Sequence, residues 1–153
     1  TPEAPRRLDI LVENMGRINY GPHILDRKGL SAVRLNNAYH FGWETIPLPM
    51  EDLSRLTFGE FHATEKPAFH KGTLRIEGTP ADTFLSMRGF HKGFVTVNGF
   101  NLGRFWKIGP TKTLYVPAPV LREGENEIIV FESDGTDSLT VEFLDKPDLG
   151  RGK

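Results

Sequence analysis

Cysteine is absent from the 153 residues. That excludes a disulfide framework, a thiol nucleophile and a cysteine-ligated metal, though it does not fix a compartment. No apolar run approaches the roughly 18 residues of a membrane-spanning helix. A surplus of one charge is missing too: 19 basic and 20 acidic residues leave a net charge of −1. A nucleic-acid or polyanion partner would require a basic face, and the overall balance argues against one. Catalytic signatures are equally scarce. Ser31, Ser54, Ser86, Ser133 and Ser138 all lack a Gly-x-Ser-x-Gly elbow. There is no His-Glu-x-x-His and no glycine-rich phosphate loop. No charged segment with an apolar stretch follows Thr1, so no signal peptide is visible. Thr1 to Arg7 holds two prolines and two arginines and reads as a linker, and the chain as an excised or processed piece of a longer protein.

What is abundant is punctuation and phenylalanine: 16 Gly, 11 Pro and 11 Phe. The most informative stretch is Gly93 to Pro117. Val95 and Val97 alternate with Thr96, as in a half-buried strand. Asn98-Gly99 suits a tight hairpin turn, because both central residues must accept positive φ. Phe100 to Trp106 reads as the returning strand, with Gly103 leaving room for another backbone to come close. Gly109-Pro110 turns the chain again, and Thr113 to Val116 is a third strand.

Elsewhere, alternation predicts strands at Leu8–Asn14, Ser31–Asn36, Trp43–Leu48, Thr73–Glu77, Thr83–Met87, Asn126–Glu132 and from Leu139 through Val141 to Phe143. Glu51 to Leu56 has helical spacing, and Ala118 to Leu121 reads as one short helical turn. Phe58 to Lys71, with His62 and His70, has no clean period and reads as irregular. Ile128 and Val130 face one way and Ile129 and Phe131 the other, so that strand is buried on both faces. Many short strands with almost no helix predict an all-β fold, an antiparallel β-sandwich of two sheets.

The segments GFVTVNGFNLGRFW, GPTKTLYVPAPVL and GENEIIVFE resemble the C-terminal β-sandwich of glycoside hydrolase family 35 β-galactosidases. LDILVENMGRINYG (Leu8 to Gly21), KGL (Lys28 to Leu30) and LTVEFLDKP are similar to the same family, so the resemblance covers Leu8 to Gly150. It implies a galactose-binding-domain-like jelly roll over 8–145, preceded by a linker at 1–7 and followed by a flexible tail at 146–153. It also implies that the parent protein is a retaining β-galactosidase. The family's two catalytic glutamates lie on a (β/α)8 barrel outside these motifs, so no catalytic residue carries over and the chain alone is expected to hydrolyse nothing. Glu44, Glu60 and Glu65 read as solvated surface acids. No cofactor is implied. Related jelly rolls often hold a structural calcium, for which Asp134 and Asp137 with backbone carbonyls would be the ligands.

Three roles remain open. The first is packing on the catalytic barrel, with Phe105, Trp106, Arg104, Arg17 and Tyr20 as contacts. The second is a carbohydrate-binding module for galactosides. Sugar C–H faces stack on aromatic rings, and hydroxyls need Asn, Arg or His partners. Trp106 with Arg104, Asn101 and His91 would form one such site, and Trp43 with His40 another. The third is a free-standing protein-interaction domain. For Phe105 and Trp106, simple core filling is the plain alternative.

Overall fold

The computed structural model describes residues 7–14, 16, 19–136 and 140–150. The backbone divides into two compact units, Thr1–Asp52 and Leu53–Lys153.

In the first unit the only ladder among the described residues joins β1 (Arg34–Leu35) to β2 (Ala38–Tyr39), antiparallel, with Arg34 opposite Tyr39. Asn36 and Asn37 make the turn at φ 47° and 66°, a region that asparagine tolerates because its short amide bonds locally. The Arg34 guanidinium donates to Asn37 Oδ1 across the turn. The strand expected at Ser31–Asn36 thus shrinks to two residues. Leu8–Asn14 and Trp43–Leu48 run as irregular backbone. Their alternation permits a strand, but no ladder to either segment forms among the described residues.

The second unit holds β3 (Ala68–Ile76), β4 (Thr83–Ser86), β5 (Lys92–Val97), β6 (Phe100–Trp106), β7 (Thr113–Val116), a 3-10 turn (Ala118–Val120), β8 (Gly124–Glu132) and β9 (Glu142–Leu144). They form a four-stranded sheet, β3-β8-β5-β6, and a three-stranded sheet, β7-β4-β9, with every pairing antiparallel. Val95, Val97, Phe105, Ile128 and Val130 from the larger sheet meet Leu85 and Val116 from the smaller one in a single buried cluster. That is the sandwich the sequence predicts. β8 lies between β3 and β5, and Ile128, Ile129 and Val130 are all under 7% exposed, as its two apolar faces require.

Register decides the rest. Gly93 sits where a Cβ would lie 1.7 Å from the Phe131 carbonyl oxygen, so only glycine lets β5 approach β8 at this point. Gly103 is different: nothing lies within 4 Å of its would-be Cβ, and it adopts φ 106°. Val95 pairs with Gly103 and Thr96 with Asn101, leaving Leu102 as the extra residue of a β-bulge. Gly103 therefore serves a bulge, not the close approach expected of it. Phe69, His70 and Lys71 belong to β3 although Phe58–Lys71 looked irregular. Ala68, His70 and Gly72 lie opposite β8's inward side while Phe69 lies opposite Phe131, so the apolar period is inverted there. Glu51–Leu56 makes only one turn, with the Leu56 N–H donating to the Leu53 carbonyl at 3.1 Å. The segment expected to be a flexible tail is tied to β7: the Asp148 carbonyl accepts from Lys112 N at 2.8 Å and from Thr113 Oγ1 at 3.2 Å.

Candidate functional site

The β5–β6 hairpin positions the residues singled out above. Its turn has Asn98 at φ 49° and Gly99 at φ 79°. Asn98 is held on every side: Nδ2 donates to Val120 O and Asn126 Oδ1, both at 2.8 Å, and Oδ1 accepts from Glu127 N at 3.0 Å. Asn126, fully buried, donates in turn to Arg122 O at 2.8 Å and Gly124 O at 3.1 Å. The hairpin's turn is thus locked to the start of β8 by a satisfied polar network, which a buried amide requires.

From that turn, pairing with β5 carries Arg104 and Trp106 to the outer face of the sheet and Phe105 inward, opposite Gly93. Phe105 is 6% exposed, edge-on to Phe90 with ring centroids 6.1 Å apart. It fills the core and has no surface to offer another domain, which corrects its assignment to interdomain packing. Arg104 and Lys92 both lie over the Trp106 ring, at 5.7 and 5.8 Å from its centroid, within cation–π range. Beside them Phe94, Phe131 and Phe69 form an aromatic row, with centroid spacings of 5.5 and 4.9 Å.

The other two members of the sugar-binding quartet are engaged elsewhere. Asn101 Oδ1 accepts the Gly103 N–H at 2.8 Å, capping the bulge at the far end of β6. His91 Nδ1 donates to the Gly135 carbonyl at 2.7 Å. In the first unit the Trp43 indole donates to the His40 carbonyl at 2.9 Å, so that pair is adjacent, and Trp43 remains 43% exposed. Tyr20 is exposed, and Arg17 lies outside the described residues.

Behind Trp106 is a cavity of about 290 Å³. Met87, Phe90 and Phe105 form its apolar wall, and Arg88, Lys107 and Lys112 bring three cations to it. Ser86, Thr111 and Asp148 complete the polar lining. Lys112 Nζ donates to the Lys107 carbonyl, and Asp148 Oδ1 accepts from Gly150 N at 2.9 Å. Among the described residues, Arg88 and Lys107 have no acidic partner within ion-pair distance.

Further ionisable groups lie outside the residues singled out as site candidates. Glu132 is fully buried, and its carboxylate accepts three backbone N–H groups: His91 at 2.6 Å, Lys92 at 3.1 Å and Asp134 at 2.9 Å. It gathers the start of β5 and the turn after β8 around one carboxylate. The only sequence signal was its inward phase with Ile128 and Val130. His70 shares that phase. Its Nε2 is buried without a hydrogen-bond partner among the described residues, and burial lowers its pKa, an effect the negative charge of Glu132 partly offsets. At the other sheet, Asp82 accepts from Tyr115 Oη at 2.6 Å and Ala118 N at 2.8 Å. The Tyr115 bond, then the Ala118 bond, holds the Asp82 carboxyl below its usual range, and the same contact raises the Tyr115 phenol.

None of these groups forms a pair of carboxylates flanking open space. Of the two calcium ligands expected, only Asp134 is described. Asp137 lies outside the described residues, Asp134 accepts from Ser133 Oγ at 3.0 Å, and no group of three His, Cys, Asp or Glu among the described residues could hold a metal ion.

Comparison with known proteins accounts for both units. Residues 67–126 match the family model of the β-galactosidase galactose-binding domain, and residues 1–49 match that of the β-galactosidase first all-beta domain. Beta-galactosidase-1-like protein 2 of Homo sapiens is 44% identical over 95% of this chain and 24% of its own length. Beta-galactosidase 1 of Dictyostelium discoideum is 39% identical over 96% of this chain and 24% of its own. Beta-galactosidase of Xanthomonas manihotis is 50% identical over 75% of this chain and 19% of its own. The chain thus spans about a quarter of the length of the curated relatives it matches.

Proposed function

We propose, from the premise that this chain is an accessory all-β region of a glycoside hydrolase family 35 β-galactosidase, that it packs on the catalytic barrel of its parent enzyme and supports the active-site region. The parent removes terminal β-galactosyl residues with retention. That reaction needs two carboxylates about 5 to 5.5 Å apart. The barrel supplies them, and this chain supplies the shape that holds the barrel's rim.

The observation that carries the reading is the apolar surface of the first unit. Leu8, Ile10, Leu11 and Val12 are 53, 42, 50 and 45% exposed, on both faces of one segment. Leu25 and Phe41 are 85 and 88% exposed. Large apolar side chains left exposed in this number are what an interface would cover. The three quarters of each relative that lies outside the match is the natural cover. Covering one such side chain fully contributes about 1.5–3 kcal/mol.

The test is reassembly. The remainder of the parent enzyme, produced separately, is titrated with this chain while Tm and the hydrolysis of a nitrophenyl β-galactoside are followed. The expected result is a complex with raised Tm and raised kcat/KM. The pair Leu11→Asp and Phe41→Asp should weaken it by about a hundredfold, equivalent to about 3 kcal/mol of lost burial. Tm and kcat/KM that ignore the added chain would overturn the reading.

A further inference from the structure

We propose that the cavity behind Trp106 is a binding site for an acidic sugar, a pyranose unit carrying a carboxylate or a sulfate. This stands apart from the packing role, since every residue it uses lies in the second unit. The size of the cavity, about 290 Å³, falls at the low end of small-ligand sites and suits one ring rather than a protein loop. Its chemistry has two halves. Trp106, Phe90 and Met87 line it with apolar surface that ring C–H groups can meet, while Ser86 and Thr111 bring hydroxyls. Arg88, Lys107 and Lys112 supply positive charge against the single carboxylate of Asp148, which already accepts from Gly150 N.

Charge is what selects the ligand class. Arg88 and Lys107 are exposed and have no acidic partner among the described residues. Lys92 and Arg104 lie over the Trp106 ring at the same end of the sheet. A concave surface lined by one sign of charge concentrates the opposite ion at its mouth. A neutral sugar would gain the stacking and none of this attraction.

The experiment uses the full chain carrying Trp43→Phe, which leaves Trp106 as its sole tryptophan. Its fluorescence is titrated at low ionic strength with galacturonate, with galactose 6-sulfate and with neutral galactose. At least one acidic sugar should give a saturable change, with a Kd at least about tenfold below that for galactose. Arg88→Gln and Lys107→Gln should each weaken that binding about tenfold, and added salt should weaken it further. Both side chains are exposed, so the variants keep their fold, checked by circular dichroism. A preference between the two acidic sugars assigns the anionic group. The proposal fails if the titrations are flat, if galactose binds equally well, or if binding survives both glutamine substitutions.

Discussion

At the scale of single residues, two glycines of one hairpin do unlike things. Gly93 permits contact, because a methyl group there would overlap the Phe131 carbonyl oxygen at 1.7 Å. Gly93→Ala is therefore expected to destabilise the second unit by about 3 kcal/mol or more, read as a lowered denaturant midpoint. Gly103 permits a conformation, φ 106° in a bulge with open space around it. Composition marks both as glycine and cannot tell a steric need from a dihedral one. Similar blindness surrounds the polar residues. Asn101, Arg104, Trp106 and His91 were legible as chemically able, and the structure brings together only Arg104 and Trp106. Asn101 and His91 meet backbone groups, Gly103 N–H and Gly135 O, whose positions no side-chain pattern encodes. Glu132 was hidden for a complementary reason: a buried carboxylate satisfied by three backbone amides looks in sequence like any strand-end acid.

Elements were far more legible in the second unit than in the first. Thr113–Val116 and Phe100–Trp106 match their strands residue for residue, and the Asn98-Gly99 turn has the positive φ values expected of it. These hairpin elements find their partners nearby in sequence, so local chemistry decides them. Leu8–Asn14 carries as clear an alternation and forms no strand, since period two states only that a strand would have two faces. The hairpin also shows how an element is fixed at its turn. Asn98 accepts and donates across to Val120, Asn126 and Glu127 while holding φ 49°. Asn98→Ala removes the donor to Val120 O and Asn126 Oδ1 and the acceptor of the Glu127 N–H, and strains the turn as well. A loss of about 2 kcal/mol is expected, with amide exchange in β5 and β6 rising before that in β4.

For the whole molecule, a net charge of −1 describes an average that no local site experiences. Three cations meet one carboxylate at the cavity, while His70 lies near the buried charge of Glu132. His70 gives the fold a pH response. Burial lowers its folded pKa below the unfolded value of about 6.5. The unfolded chain therefore takes up the proton first. As pH falls below about 6.5 stability declines, and the decline stops once pH passes the folded value. Tm measured from pH 8 to pH 5 should fall less steeply for His70→Phe than for the native chain. The strand order has its own consequence for synthesis. Ala68 pairs with Glu132, and β8 inserts between β3 and the β5–β6 hairpin. The central strand of the larger sheet is thus translated after both of its neighbours. On the ribosome β3 must wait, its ladder groups and the aromatic row bare, until β8 emerges to join the two halves. Pairing over so long a separation closes slowly, and that interval is when a nascent chain of this kind most needs a chaperone.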